Sequence, residues 1–133
     1  MAEPFPISTG LLPDNDAGIG VLAKFFGGLG DVTRLRLLEF VLPAEHSVSE
    51  CVAHVGLSQG RVSTHLRCLA DCGYVQVRRA GRHAYYRVAD PRVAQLVRLA
   101  QSLAARNGGA LATCLSLDEA SAAEGHSPRS LPG

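Results

Sequence analysis

Between Asp16 and Gly73 apolar residues recur three or four positions apart, the spacing that gathers them on one side of a helix. Caps and glycines cut this stretch into four segments. "DAGIGVLAKFFGGLG" (16–30) ends in glycines and predicts a first helix. "DVTRLRLLEFVL" (31–42) opens on Asp31 as N-cap, is apolar at 32, 35, 37, 38, 41 and 42, and stops before Pro43. "SVSECVAHVG" (47–56) sets Ser47 three residues before Glu50, the pattern of a capping box, with Gly56 as its stop. "LSQGRVSTHLRCLADCG" (57–73) takes Ser58 as N-cap and Gly73 as stop. The last two are short and joined by "VGLSQ", which predicts a helix-turn-helix.

The period then changes from helical to alternating. "YVQVRR" and "HAYYRV" are β-branched and aromatic runs separated by "AGR", and they predict a two-stranded hairpin turning near Gly81. In "DPRVAQLVRLAQSLAARNGG" Asp90 caps a helix, Pro91 takes its first position and Gly108 closes it. Apolar positions 93, 96, 97, 99, 100, 103 and 104 cover much of its circumference. Such a helix needs cover on more than one side, which a homodimer interface supplies. The order predicts a mainly α protein with a β-hairpin, a dimeric winged helix-turn-helix. Residues 1–15 are expected to form a flexible arm and 16–108 the DNA-binding and dimerisation domain. Residues 109–133 are expected to form a tail, largely disordered after about residue 120.

Composition and charge narrow the class. The 133 residues suit one modest core; 47% are apolar but only 5% aromatic, with no Trp, so Leu, Val and Ala must build it. A net charge of +1 predicts no partner by itself. Its distribution is informative: residues 61–106 hold nine arginines against two acids, Asp71 and Asp90, the footprint of a nucleic-acid binder. A solvated basic face would carry the same charge, and the order of elements decides between the two. Ser58, Gln59, Arg61, Ser63, Thr64 and His65 fall in the first two turns of the second helix, the part that enters the major groove. The wing "RRAGRHAYYR" supplies Arg78, Arg79, Arg82 and Arg87 for phosphate or minor-groove contact. Double-stranded DNA is the expected partner.

No apolar run approaches the roughly 18 residues of a membrane helix, and "MAEPFPISTG" lacks the basic-then-apolar order of a secretory signal. The chain is therefore expected in the cytoplasm, where thiols stay reduced. Four cysteines there argue for metal, redox chemistry or burial rather than a disulfide framework. With no phosphate-binding glycine loop, nucleophile elbow or Cys-x2-Cys motif, no enzyme is expected. Histidines 46, 54, 83 and 126 have no metal-ligand spacing.

"LGDVTRLRLLEFV", "GLSQGRVSTHLRCLADCGYV" and "RRAGRHAYYRV" together resemble the ArsR/SmtB family of metalloregulatory repressors, over about residues 17–106. The resemblance implies a dimer that binds a palindromic operator when metal-free and releases it when metal binds. The Cys-Val-Cys site of the arsenic/cadmium type would fall on Ser47 and Ser49, which cannot replace soft thiolates. The Asp/His site of the zinc/nickel type would fall on the last helix, which offers Asp90 and no histidine. What remains is "CLADC": it resembles the Cys-x3-Cys pair of the family's cadmium/lead sensors, and a mercury-responsive member carries a similar pair. The resemblance implies that Cys68, Cys72 and Cys114 form a three-thiolate site.

Helix positions i and i+4 lie about 5–6 Å apart, so two thiolates there can share one ion. Sulfur donors favour Cd(II) and Pb(II), ranked first here, with Hg(II) and Zn(II) behind. His65 is better used for DNA or packing than as a fourth ligand, and Cys51 aligns with an apolar core position. Two other readings stay open: a thiol redox sensor in which Cys68 and Cys72 join as a disulfide, with Arg67 lowering a thiol pKa, and a constitutive DNA binder with inert cysteines.

Overall fold

The first four helices form where their caps satisfy backbone N–H groups that have no partner within the helix. In the computed structural model, which describes residues 10–114, α1 runs Asp16–Gly27, capped by Asn15, whose side chain accepts from the Gly18 N–H at 3.0 Å. The Asp31 carboxylate caps α2 (Val32–Val41), accepting from the Arg34 N–H at 3.0 Å. Both halves of the expected capping box form at α3 (Val48–Val55): the Glu50 N–H donates to Ser47 Oγ at 3.1 Å and the Ser47 N–H to Glu50 Oε1 at 2.8 Å. Gly56 ends α3 at φ +74°, a conformation few other residues adopt cheaply. Ser58 caps α4 (Gln59–Asp71), the helix expected to read DNA.

Strand β1 is His46–Ser47, β2 is Val75–Ala80 and β3 is His83–Val88, in the antiparallel order β1-β3-β2. The hairpin pairs Val75 with Val88 and Ala80 with His83, leaving Gly81–Arg82 as a two-residue turn. Gly81 takes φ +62° and Arg82 does not turn positive, the arrangement of a turn whose twist suits a hairpin. Strand β1 was not expected. It is two residues long and pairs His46 with Tyr86 and Ser47 with Tyr85, too short to show alternation in sequence.

Leu37, Leu38 and Val41 from α2, Cys51 from α3, and Val62, Leu66 and Leu69 from α4 are buried. Tyr74, Val75 and Tyr86 join them from the start of the hairpin and from β3. Beside them Phe40 lies between the rings of His46 and His54, stacked at 3.8 and 4.0 Å. These histidines therefore pack a satellite cluster.

The chain divides into two compact units between Ala94 and Gln95, inside α5 (Pro91–Arg106). Asp90 accepts from the Arg92 N–H at 2.8 Å at the start of α5. Leu99 and Leu103 on α5 are 60% and 57% exposed. Gly108 does not end the helical region but begins a five-residue helix, α6 (Gly108–Ala112). Of the expected arm, residues 1–9 lie outside the described residues, as does the tail from 115 onward with His126.

Replacing Leu66, fully buried on α4, is expected to cost about 2–5 kcal/mol as Leu66→Ala, through lost transfer energy and the cavity left behind. Urea unfolding measures this; a loss below about 1 kcal/mol would mean the core does not centre on α4.

Candidate nucleic-acid interface and thiol pair

Helix α4 buries Val62, Leu66 and Leu69 and turns its polar positions outward in two directions. Ser58, Gly60, Arg61, Thr64 and His65 line one open groove. Within it the Thr64 hydroxyl donates to the Gly60 carbonyl at 3.0 Å, and His65 Nδ1 stands 3.9 Å from the Asp31 carboxylate. Gln59 and Ser63 face instead toward the wing, where with Arg67, Arg79 and Arg82 they line a polar cavity.

The wing arginines, alike in sequence, differ in the fold. Arg78 makes two hydrogen bonds to Glu45, at 3.0 and 2.8 Å, and its guanidinium lies over the Tyr85 ring at 4.6 Å. The hydrogen bond from Arg78 holds the Glu45 carboxyl below the usual carboxylate range. Arg87 donates to the Gln76 side chain at 3.3 Å. Arg79 and Arg82 have no ion pair among the described residues. Sequence reading did not pick out Glu45 as a partner, because the pair joins positions 33 residues apart.

Cys68 and Cys72 close the same helix. Cys72 is its C-cap, its N–H donating to the Cys68 carbonyl at 3.0 Å, and both side chains are half-buried. The two thiols stand on adjacent turns at the end of α4, near enough for each to feel the other's charge. Burial raises the Cys72 pKa, Cys68 adds to the rise, and the Arg34 guanidinium acts in the opposite sense. The Cys72 sulfur packs against the end of α1, so closely that a Cβ on Gly28 would lie 2.8 Å from it. Arg34 fixes that end, donating to the Gly28 carbonyl at 2.7 Å and the Gly27 carbonyl at 3.2 Å.

Cys51 is fully buried, and burial pushes its thiol up to about 11, so it is a core side chain. Cys114, half-buried, is the last described residue and belongs to the second unit. Among the described residues no group of three or more His, Cys, Asp or Glu side chains is gathered as a metal site. The Cys68/Cys72 pair nevertheless fits a thiophilic ion: two soft sulfur donors on adjacent helical turns, both half-buried. No described helix is long and apolar enough to cross a membrane.

Helix-turn-helix, wing and arginine placement define a DNA-binding winged-helix regulator, not an enzyme. Residues 31–77 match the family described as bacterial regulatory protein, arsR family. The chain is 58% identical over 92 residues to a probable mercury resistance operon repressor of Streptomyces lividans, covering 69% of this chain and 74% of that protein. It is 38% identical over 74 residues to the HTH-type transcriptional regulator CmtR of Mycobacterium tuberculosis, covering 56% of this chain and 63% of CmtR. In structure it resembles the homodimeric winged helix-turn-helix DNA-binding domain of a possible ArsR-family regulator from Mycobacterium bovis. That likeness has a TM-score of 0.63 and 28% identity, over 78% of this chain and 90% of that one. The chain belongs to the arsR family of bacterial regulatory proteins and is a transcriptional repressor of the ArsR/SmtB type.

Alkylation of the native protein tests the division among thiols. At mildly alkaline pH, Cys51 is expected to react at least roughly a hundredfold more slowly than an ordinary thiol, because its thiolate is scarce. Peptide mass spectrometry reads the order. Cys51 labelling in step with Cys68 would mean that the core opens around it.

Proposed function

We propose that the protein represses a heavy-metal resistance operon. It binds palindromic operator DNA as a homodimer in the cytoplasm and lets go when Hg(II), or secondarily Cd(II) or Pb(II), is bound by Cys68, Cys72 and Cys114. The observation that carries this reading is the half-buried Cys68/Cys72 pair on adjacent turns at the end of α4, with the Cys72 sulfur packed against Gly28. Cys114 is the third donor that the family pattern asks for. Identity of 58% to a mercury-operon repressor, against 38% to CmtR, supports placing Hg(II) first and reverses the order expected from sequence. Sulfur-only donors suit the same ion. The homodimeric relative and the exposed Leu99 and Leu103 of α5 support dimerisation.

Release follows from position. An ion on Cys72 replaces a thiol that now packs under Gly28, so the joint between α4 and α1 must adjust. Regulation requires only that the ion prefer the adjusted state, and couplings of about 1–3 kcal/mol weaken DNA binding roughly 5- to 150-fold.

Titrating the reduced protein with Hg(II) is expected to raise a sulfur-to-metal ultraviolet band. Cys68→Ser and Cys72→Ser should abolish it, Cys114→Ser should weaken and shift it, and Cys51→Ser should leave it intact. Release of the DNA upstream of the protein's own gene should follow the same pattern. A band that survives Cys68→Ser or Cys72→Ser would sink the site. Release by an oxidant but not by metal would select the redox reading, in which the two thiols give up two protons and two electrons to that oxidant.

Each coordinated thiol also gives up a proton, so metal affinity is expected to fall as pH falls. Below the thiol pKa values the loss is about tenfold per pH unit for each proton displaced, and the raised Cys72 pKa extends that regime upward. A pH-independent affinity would mean that the thiols are not the ligands.

A further inference from the structure

Beside the wing lies a polar cavity of about 270 Å³, bounded by the first turn of α3, by α4 and by the β2–β3 turn. Three arginines line it: Arg67 from α4, Arg79 from β2 and Arg82 from the turn. Gln59 and Ser63 share with Arg67 one stripe of α4, spaced i, i+4 and i+8, and Ser49 completes the polar wall. Among the described residues no carboxylate lines the cavity. Among the described residues, none of the three arginines has an ion-pair or hydrogen-bond partner.

Several other arginines are already held within the fold. Arg78 is held by Glu45, Arg92 by Asp90, Arg87 by Gln76 and Arg34 by two carbonyls. Like charges around one concavity repel, and an anion in the middle relieves all of them at once. A guanidinium offers donors and no acceptor, so three of them match an acceptor-only group carrying full negative charge. Base edges mix donors with acceptors and match less well.

We propose that this cavity seats one phosphate of the DNA backbone, gripped jointly by Arg67, Arg79 and Arg82. The proposal rests on the DNA-binding reading and deepens it, naming the contact that ties the DNA-facing helix to the wing. It enlists Arg67, which was not among the expected DNA contacts, and it leaves out Arg78, which was. Arg67 immediately precedes Cys68, so the seat and the thiol pair share one end of α4.

The test is fluorescence anisotropy of the full-length reduced protein with a labelled duplex of mixed sequence, over a range of KCl concentrations. Each phosphate neutralised contributes about 0.9 to the slope of log affinity against log salt. A shared seat predicts that the combined variant Arg67→Gln, Arg79→Gln, Arg82→Gln flattens the slope by about 0.9. It also predicts that the three single losses sum to more than the combined loss. A flattening of about 2.7 would mean three separate phosphates and would overturn the shared seat. An unchanged slope would overturn the contact altogether. Arg36→Gln, on the exposed face of α2, gives the scale of a general charge loss, and single variants no worse than it also overturn the proposal.

Calorimetry with inorganic phosphate separates the two sources of that anion. Stoichiometric phosphate binding that is lost in the combined variant, with the DNA slope unchanged, would assign the cavity to a free anion instead. If the glutamine variant fails to unfold cooperatively, the all-lysine variant takes its place. Lysine keeps the charge but loses the planar fork, so weaker binding at an unchanged slope is expected, and undiminished affinity overturns the seat. A wild-type protein that binds no duplex would instead strike at the DNA-binding reading itself.

Discussion

Tyr74 is the residue through which the first unit is tied together. It is fully buried, and each of its polar groups is used. Its N–H closes α4 by donating to the Leu69 carbonyl at 2.9 Å, its carbonyl accepts from the Ala89 N–H at 3.0 Å, and its hydroxyl donates to the Phe25 carbonyl at 2.6 Å. Its ring stacks on Phe25 at 4.6 Å, and burial pushes its phenol up to about 12, so the hydroxyl stays a donor. One residue, through its main chain and its side chain, therefore sets the end of α4, the start of the wing and the last turn of α1. Buried hydrogen bonds of this kind are costly to leave unmade, so the three elements cannot drift apart independently.

The thiol pair gains its meaning from that junction. Cys72 lies two residues before Tyr74, caps α4, and packs its sulfur under Gly28, whose carbonyl Arg34 holds. A ligand placed on Cys68 and Cys72 acts where small displacements are resisted by packing on one side and by hydrogen bonds on the other. Close-packed joints of this sort shift between discrete arrangements rather than yielding gradually, which suits a switch. The same two cysteines in the middle of an exposed helix would bind an ion without informing the rest of the fold.

Much of this was legible in the sequence because it rests on local chemistry. Asp31, Ser47 with Glu50, and Ser58 announce helix starts, Gly56 and Gly73 helix ends, and Gly81 a hairpin turn, each through a bond or dihedral angle spanning a few residues. Spacing alone put Cys68 and Cys72 within reach of each other. What was illegible depends on contacts distant in sequence or on segments too short to carry a period. Strand β1 has two residues and α6 five, and Gly108 reads as a stop although the chain coils again after it. Nor does a run of arginines reveal which will be neutralised: Arg78 finds Glu45 while Arg79 beside it finds no acid among the described residues.

That partition among arginines bears on how binding and sensing coexist. Helix α4 commits Val62, Leu66 and Leu69 to the core, and Ser58, Arg61, Thr64 and His65 to an open groove. Gln59, Ser63 and Arg67 go to the wing cavity, and the last turn goes to the two thiols. A rigid helix transmits rotation and translation along its whole length. Any adjustment at Cys68 and Cys72 is therefore delivered to the groove and to the Arg67 side of the cavity together, while Arg79 and Arg82, on the wing, are not carried by that helix. Displacement between these two sets of donors changes a charge arrangement that is sensitive to distance at close range. The coupling needs no long pathway, because the proposed metal-binding thiols and one of the three arginines of the proposed phosphate grip lie within six residues at the end of one helix.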